Sequence, residues 1–273
     1  MQGGGLIINV YGLIISPYER PKGALPVQQV IQMMDRAYQK KGATHSFLEK
    51  ATELYAQGID YQWPQHKARV HPADNWLLWA LAWADPAFMK LDLTNVENLF
   101  TAYESLSWER ALARGYGICS QNSLGLADLL SSRYGIEADI IGLDGHVVVE
   151  AQSLLLDPSV GLTIPMNLQE AEKHEDQSQK ISQLYNQTFP DKEYFLAYDI
   201  TGQLVTKKRL SELGQTYDTA GNQRFDGVKG YRPKIYYLER ISEWLKWAIP
   251  ITMLLVGLWV LLQTRRTFGG SPA

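Results

Sequence analysis

The sequence predicts an α+β domain, helical in its first half, with a short antiparallel sheet behind it and a C-terminal transmembrane helix. Three observations carry this expectation. Apolar residues recur at helical spacing over much of the first half. From about residue 136 the pattern changes to short β-branched runs separated by turn residues. Near the end, the nineteen residues WLKWAIPITMLLVGLWVLL, Trp244 to Leu262, carry one charge, Lys246. Helices followed by antiparallel strands are the order of an α+β fold. The expected division is an apolar run and turn-rich lead-in over 1–26, a domain over 27–216, a linker and juxtamembrane segment over 217–240, a transmembrane helix over 241–264 and a short tail over 265–273.

In chain order, LIINVYGLII at 6–15 is too short to span a bilayer. It is similar to a signal h-region or the end of an anchor, and a buried strand accounts for it equally well. After the turn-rich SPYERPKGALP, helical patterns cover about 27–40 and 45–57. HPADNWLLWALAWADP follows, with Asp74 as the expected N-cap and Pro86 beyond the end. Its Trp76, Trp79 and Trp83 share one face and read as a core stripe. A helix is expected after Thr94, and a short one from Ser107 to Ala113. SLGLADLLSSRYG, 123–135, keeps helical spacing. EADIIGL and GHVVVEA then read as strands joined by a turn at LDG, 143–145, and SLLLDPSVG as a third strand ending at Asp157 and Pro158. QEAEKHEDQSQKISQLYNQ is polar and reads as a solvated helix; YDTAGNQRFDGVKGYRP, 217–233, reads as a loop or linker.

The terminal run is long enough, at roughly 1.5 Å per residue, to cross a hydrocarbon core of about 30 Å. Lys246 lies near one end, where it can snorkel to the headgroups, and Trp244, Trp247 and Trp259 fall near the two interfaces. Pro250 in its first turns is tolerated in a membrane helix. Lys229, Arg232, Lys234, Arg240 and Lys246 upstream outnumber Arg265 and Arg266 downstream, which argues for a cytoplasmic domain. An apolar segment at each end argues for the extracytoplasmic side, and that placement is the expectation adopted.

Composition removes several function classes. A net charge of -3, from 26 basic and 29 acidic residues, offers no basic field for nucleic acid. One cysteine in 273 residues forms no internal disulfide, and no paired Cys/His spacing suggests zinc. No cofactor and no metal are expected.

That one cysteine is the centre of the candidate site. In RGYGICSQNSLGLADLL, 114–130, Cys119 stands at the head of an apolar helix, with Gly115 and Gly117 permitting a tight entry. A helix N-terminus beside an imidazole favours thiolate, and backbone N–H groups of a first turn can hold an oxyanion. His146 opens one strand and Asp157 ends the next, so adjacent antiparallel strands can bring carboxylate and imidazole within hydrogen-bond reach. Singly, each has a plain structural explanation: a buried thiol, a structural histidine, a turn aspartate. His45, His66, His71 and His174 lie outside the pattern.

RGYGICSQNSLGLADLL, GHVVVEA and LLLDPSVG together resemble the three blocks of the transglutaminase-like superfamily of papain-like Cys-His-Asp cysteine enzymes, over about residues 105–162. The resemblance implies a papain-like core in a bacterial membrane-anchored protein, with Cys119 as nucleophile, His146 as general base and acid, and Asp157 as orienting carboxylate. It also implies a thioester intermediate that passes an acyl group from an amide or peptide substrate to an amine or to water. Members often supply an upstream side chain to the oxyanion hole; Trp76, Trp79, Trp83 and Trp108 are candidates. The Cys-His and His-Asp separations of 27 and 11 residues are compact, and Ser120-Gln121 matches no family consensus. The rival expectation is a catalytically silent relative that uses the same cleft to bind a peptide or glycan-assembly partner at the membrane.

Overall fold

The computed structural model describes residues 20–61, 72–83, 105–173, 175–190, 193–198, 204–219 and 221–268. The run at 6–15, Pro86, the helix expected after Thr94, and His66, His71 and His174 lie outside them. The chain forms two units, one of residues 20–68 and 104–236, the other of 1–19, 69–103 and 237–273.

In the larger unit, α1 (Val27–Lys41) and α2 (His45–Gly58) form where the 3.6-residue pattern predicts them. They bury Val30 and Met34 on one, and Phe47, Leu48, Leu54 and Tyr55 on the other. The two-residue strand β1 (Asp60–Tyr61) follows. In the smaller unit lies α3 (Pro72–Trp83). The larger unit resumes with α4 (Trp108–Arg114), which Ser107 caps by accepting the Arg110 N–H, and which Gly115 ends at a left-handed φ of 72°. β2 (Tyr116–Gly117) pairs parallel with β1, and α5 (Cys119–Tyr134) starts directly after it. Most of α5 is buried, making it the central rod of this core.

Five strands form one antiparallel sheet in the order β6-β5-β4-β3-β9. They are β3 (Asp139–Leu143), β4 (His146–Ala151), β5 (Leu154–Asp157), β6 (Leu162–Ile164) and β9 (Gln223–Phe225). Side-chain alternation divides the core. Val147, Val149, Ala151, Leu154 and Leu156 face a cluster shared with α1, α2 and α5. Ile141, Val148, Leu155, Leu162 and Ile164 pack with Leu168, Ile181, Tyr185, Leu210 and Tyr217. The turn between β3 and β4 falls at Asp144-Gly145 as expected. That between β4 and β5 uses Gln152 and Ser153, both left-handed at φ 49° and 64°. Gln152 Nε2 donates to the Ala43 carbonyl at 3.2 Å, and the His45 ring lies 3.0 Å from the Gln152 carbonyl oxygen.

Two expectations are corrected here. The polar stretch expected as a solvated helix is two helices, α6 (Leu168–Glu172) and α7 (Glu175–Thr188), and the second buries Ser178, Ile181 and Tyr185 at spacings of three and four. Its seam is narrow and partly polar, so mean polarity concealed it. The expected loop at 217–233 contains the end of a 3-10 helix (Leu210–Asp218), edge strand β9 and α8 (Gly227–Tyr231) with Val228 buried. Arg224 secures β9 by reaching Asp139 at 3.1 Å and Glu150 at 2.5 Å. A short charged strand is a common form of protected sheet edge, and its composition resembles a loop. Between α7 and the 3-10 helix, β7 (Glu193–Tyr198) and β8 (Leu204–Arg209) make a hairpin that the sequence reading did not anticipate.

In the smaller unit, α3 is interrupted at Asn75 (φ -148°, ψ 94°), whose Oδ1 accepts the Leu78 N–H at 2.9 Å. Asn75 rather than Asp74 therefore caps the apolar stretch. Trp79, expected in a core stripe, is 39 % exposed, while Leu78 is buried. The last helix, α9 (Pro233–Phe268), contains a stretch from Tyr236 to Arg265 that is long enough to cross a membrane and apolar enough over its best 18-residue window, of mean hydropathy 2.0. Leu255, Trp259 and Leu262 on it are each more than half exposed. Lys246, expected to snorkel outward, instead donates to the Asp74 carbonyl at 2.7 Å and pairs with Glu243 at 2.6 Å.

Candidate active site

Three elements of the larger unit meet at the candidate site. Gly115 turns the chain out of α4, and β2 aims it into α5 so that Cys119 is the first helical residue. Gly117 is required by space: a Cβ there would run into the side chains of Gln121 and Asn122. The first ladder bond of α5 is from the Asn122 N–H to the Ile118 carbonyl, so the Cys119 amide stands at the open end of the helix. Gln121 anchors this end by accepting the Ser105 N–H and donating to the Ser105 carbonyl, each at 2.7 Å.

One helical turn beyond Cys119, the Ser123 hydroxyl donates to the Val147 carbonyl at 2.8 Å. That bond ties α5 to β4 next to His146. Cys119 is half-buried and its side chain is hydrogen-bonded to the His146 ring. His146 Nε2 lies 2.9 Å from Asp157 Oδ2, which leaves Nδ1 for the thiol. The β4–β5 register pairs Val149 with Leu156, which puts His146 and Asp157 on the same face as diagonal neighbours. The structure thus brings together all three residues of the expected triad.

Asp157 is fully buried and saturated with donors. Oδ2 accepts the His146 ring N–H and the Tyr185 hydroxyl at 2.7 Å, and Oδ1 accepts the Ser159 N–H at 2.9 Å. The Tyr185 oxygen lies 3.0 Å from that of Tyr217. Burial disfavours a charged imidazole, but the charge and hydrogen bond of Asp157, joined by Cys119, push the His146 pKa up to about 10. Burial likewise opposes ionisation of Asp157; the His146 charge, with hydrogen bonds from His146, Tyr185 and Ser159, outweighs it and holds the carboxyl below its usual range. Burial, then the Asp157 charge, raises the Tyr185 and Tyr217 hydroxyls well above the ordinary phenol, so both stay protonated.

No family model, curated protein or solved structure matches this chain. The site is therefore read from its own chemistry.

A half-buried thiol, an imidazole bonded to it and a buried carboxylate behind the imidazole are the parts of an activated nucleophile. Among the described residues no His/Cys/Asp/Glu group is arranged to hold a metal ion. Of the tryptophans considered for an oxyanion hole, Trp76 donates its indole N–H to the Lys246 carbonyl within the smaller unit, where exposed Trp79 also lies. Trp108 packs against the helical core, and the Trp83 side chain lies outside the described ones. His45 bonds the Gln152 turn. A cavity of about 550 Å³ is lined by Tyr61, Ser159, Val160, Gly161, Phe189 and Leu210 among others, and neither Cys119 nor His146 lines it.

Gln121, Ser123, Tyr185 and Tyr217 join the site from outside the three residues that the sequence singles out. Tyr185 left a trace, four residues after Ile181 in an otherwise polar helix. The others left none.

Proposed function

We propose that this chain is a membrane-tethered thiol enzyme of transglutaminase-like type, with a papain-like core, that moves an acyl group from an amide or peptide bond through a Cys119 thioester. The observation that carries this reading is the continuous Cys119-His146-Asp157 hydrogen-bonded chain with its carboxylate end wholly buried. A silent relative that only binds a peptide or glycan-assembly partner has no chemical need of such a chain.

In the proposed reaction the Cys119 proton is held on His146 Nδ1 as the sulfur attacks the carbonyl carbon. The tetrahedral oxyanion lies toward the open N-terminus of α5. Collapse breaks the C–N bond, and His146 returns its proton to the departing amine. Water or a second amine then attacks the thioester, giving a proton to His146, and the C–S bond breaks as Cys119 takes it back. Asp157 stabilises the imidazolium throughout. α9 tethers the domain to the bilayer, with the domain on the extracytoplasmic side.

Because Cys119 is the sole cysteine, iodoacetamide labelling of the full-length protein in detergent reads this one thiol. Rapid labelling at mildly acidic pH is expected, lost in Cys119→Ala and strongly slowed in His146→Ala. Labelling no faster than a free thiol would leave the silent-binding reading in its place. The tether is tested by extraction, since the full chain should leave membranes only with detergent. Thiol-reagent access on intact cells reads the side.

A further inference from the structure

We infer that Tyr185 and Tyr217 are positioning residues for the triad: through a dry chain of hydroxyls they fix the Asp157 carboxylate in the orientation that holds His146 toward Cys119. This rests on the acyl-transfer reading above. It extends the working site to α7 and the 3-10 helix, both outside the stretch whose sequence suggested the chemistry.

Hydrogen-bond inventory sets the direction of the chain. An ionised carboxylate only accepts, so Tyr185 must donate to Asp157 Oδ2 across their 2.7 Å contact. A phenol has one hydrogen, so the remaining bond of Tyr185, at 3.0 Å, must be received from Tyr217. The order is Tyr217 to Tyr185 to Asp157, with His146 donating from the other side. All four side chains are buried, so water does not readily replace a lost donor.

The backbone is built to keep the two tyrosines together. α7 and the 3-10 helix approach so closely at Gly214 that a Cβ there would collide with the Ser182 backbone nitrogen and hydroxyl and with the Ser178 carbonyl. The Asn222 side chain donates to the Tyr217 carbonyl at 3.0 Å and ties the end of the 3-10 helix. Asp157 ends β5, one residue before Pro158, and its Oδ1 is taken by the Ser159 N–H. Its Oδ2 faces two side chains, and Tyr185 is the one that comes from outside the sheet.

The titratable groups facing this carboxylate are His146 from β4, Tyr185 from α7 and Tyr217 from the 3-10 helix, with Cys119 of α5 beyond the imidazole. Loss of the Tyr185 hydroxyl has two separable consequences. If the carboxylate keeps its place, it becomes a stronger base toward the imidazole and the His146 midpoint rises. If Tyr185 positions it, the carboxylate turns away and the midpoint falls. Positioning therefore predicts a fall.

The test uses the full chain in detergent and three variants, Tyr185→Phe, Tyr217→Phe and Tyr134→Phe. The last removes a tyrosine hydroxyl from a carboxylate at a partly exposed place, the 3.0 Å bond of Tyr134 to Asp35 at the far end of α5, and controls for loss of a tyrosine-carboxylate bond away from the triad. Two readouts are taken, the pH profile of Cys119 alkylation and the NMR titration of the His146 ring. Tyr185→Phe should slow alkylation at mildly acidic pH by about 10-fold and lower the His146 midpoint by about one pH unit. Tyr217→Phe should shift both the same way and less, and Tyr134→Phe should move neither. An unchanged or raised His146 midpoint in Tyr185→Phe overturns the inference. If that variant does not fold, Tyr217→Phe decides by the same criterion, because it leaves the Asp157 contact itself in place. A wild-type thiol that is inert at acidic pH would sink the acyl-transfer reading, and the His146 titration would still decide the positioning role.

Discussion

The two faces of the five-stranded sheet are built from different materials. The face toward α1, α2 and α5 is almost purely apolar, joined by Val147, Val149, Leu154 and Leu156 to the buried stripes of three helices. The face toward α7 and the 3-10 helix has an apolar seam of Ile141, Val148, Leu155 and Ile164 and, in the same layer, the polar chain of Asp157, Tyr185 and Tyr217. Apolar packing tolerates small displacements because dispersion contacts are non-directional. A chain of hydrogen bonds in a dry layer does not, since each lost bond leaves a polar group without solvent. In the proposed reaction, position of the nucleophile is thus set on the tolerant face and orientation of its base on the exacting one.

The largest effect should come from cutting the exacting face at its centre. Asp157→Asn retains the size and most of the hydrogen-bonding shape but removes the charge opposite His146. If the proposed acyl transfer holds, turnover should fall on the order of 1000-fold or more, as expected when an imidazole loses its orienting carboxylate. Stability should report the same event. His146 has a pKa of about 10 when folded against 6.5 for the free side chain, so its contribution is fully present below about 6.5 and is lost as pH rises toward 10. Asp157, held below its ordinary 3.8, contributes above that value and loses the contribution as pH falls through its depressed pKa. Thermal midpoints of the wild type should therefore be highest between about pH 4 and 6.5 and decline on the alkaline side. In Asp157→Asn the decline between 6.5 and 10 should vanish. A variant with the same alkaline slope as wild type would show that the pair does not govern it.

Smaller, and aimed at the backbone under the same face, is Gly214→Ala. The new methyl group meets backbone atoms of α7 rather than a yielding side chain, so α7 and the 3-10 helix must separate. Overpacking of this kind costs about 1 to 3 kcal/mol. The separation stretches the Tyr217-Tyr185 contact, so the variant should also reproduce part of the slowed alkylation of Tyr185→Phe. Gly125→Ala offers the comparison on the tolerant face, where a Cβ would strike the Tyr55 hydroxyl. It should lower the thermal midpoint while leaving the His146 titration unchanged. Equal titration shifts in both variants would remove the distinction between the faces.

The same contrast governs what could be read from the sequence. α1, α2, α5 and the strands through Asp157 announce themselves because their buried stripes are apolar and periodic, and the Cys-His-Asp order lies within that legible stretch. Tyr185 does not, because α7 contributes a seam as small as Ser178, Ile181 and Tyr185 beneath a charged exterior, and Tyr217 does not, because it ends a 3-10 helix at the start of a stretch that reads as a loop. β9 was hidden for another reason. Its three residues are held by Arg224 to Asp139 and Glu150, partners that only the fold brings near. Asn75 outranked Asp74 as a cap because the backbone breaks at Asn75, where the side chain reaches the Leu78 amide and also donates to Glu243 at 2.7 Å. In each case a contact distant in sequence decided what local propensity left open.

The smallest effect should come from the β4–β5 turn, at the end of those strands remote from His146 and Asp157. Gln152 and Ser153 both occupy the left-handed region, a conformation costing roughly 1 to 2 kcal/mol for an ordinary L-residue. A two-residue hairpin with positive φ at both positions favours Asn or Gly, yet this chain uses neither. Gln152 has a compensation in its side-chain bond to the Ala43 carbonyl, whereas exposed Ser153 has only its place in the turn. Ser153→Gly relieves the strain at the second position and adds some entropy to the unfolded chain, the two partly cancelling. A net gain of about 0.5 kcal/mol is expected, read as a small rise in thermal midpoint. The alkylation profile and the His146 titration should be unchanged, because the register from Ala151 to Leu154 is preserved and the triad lies at the other end of the strands. A shift in either would mean that strain in this turn is transmitted along β4 and β5 to the pair it was taken to be insulated from.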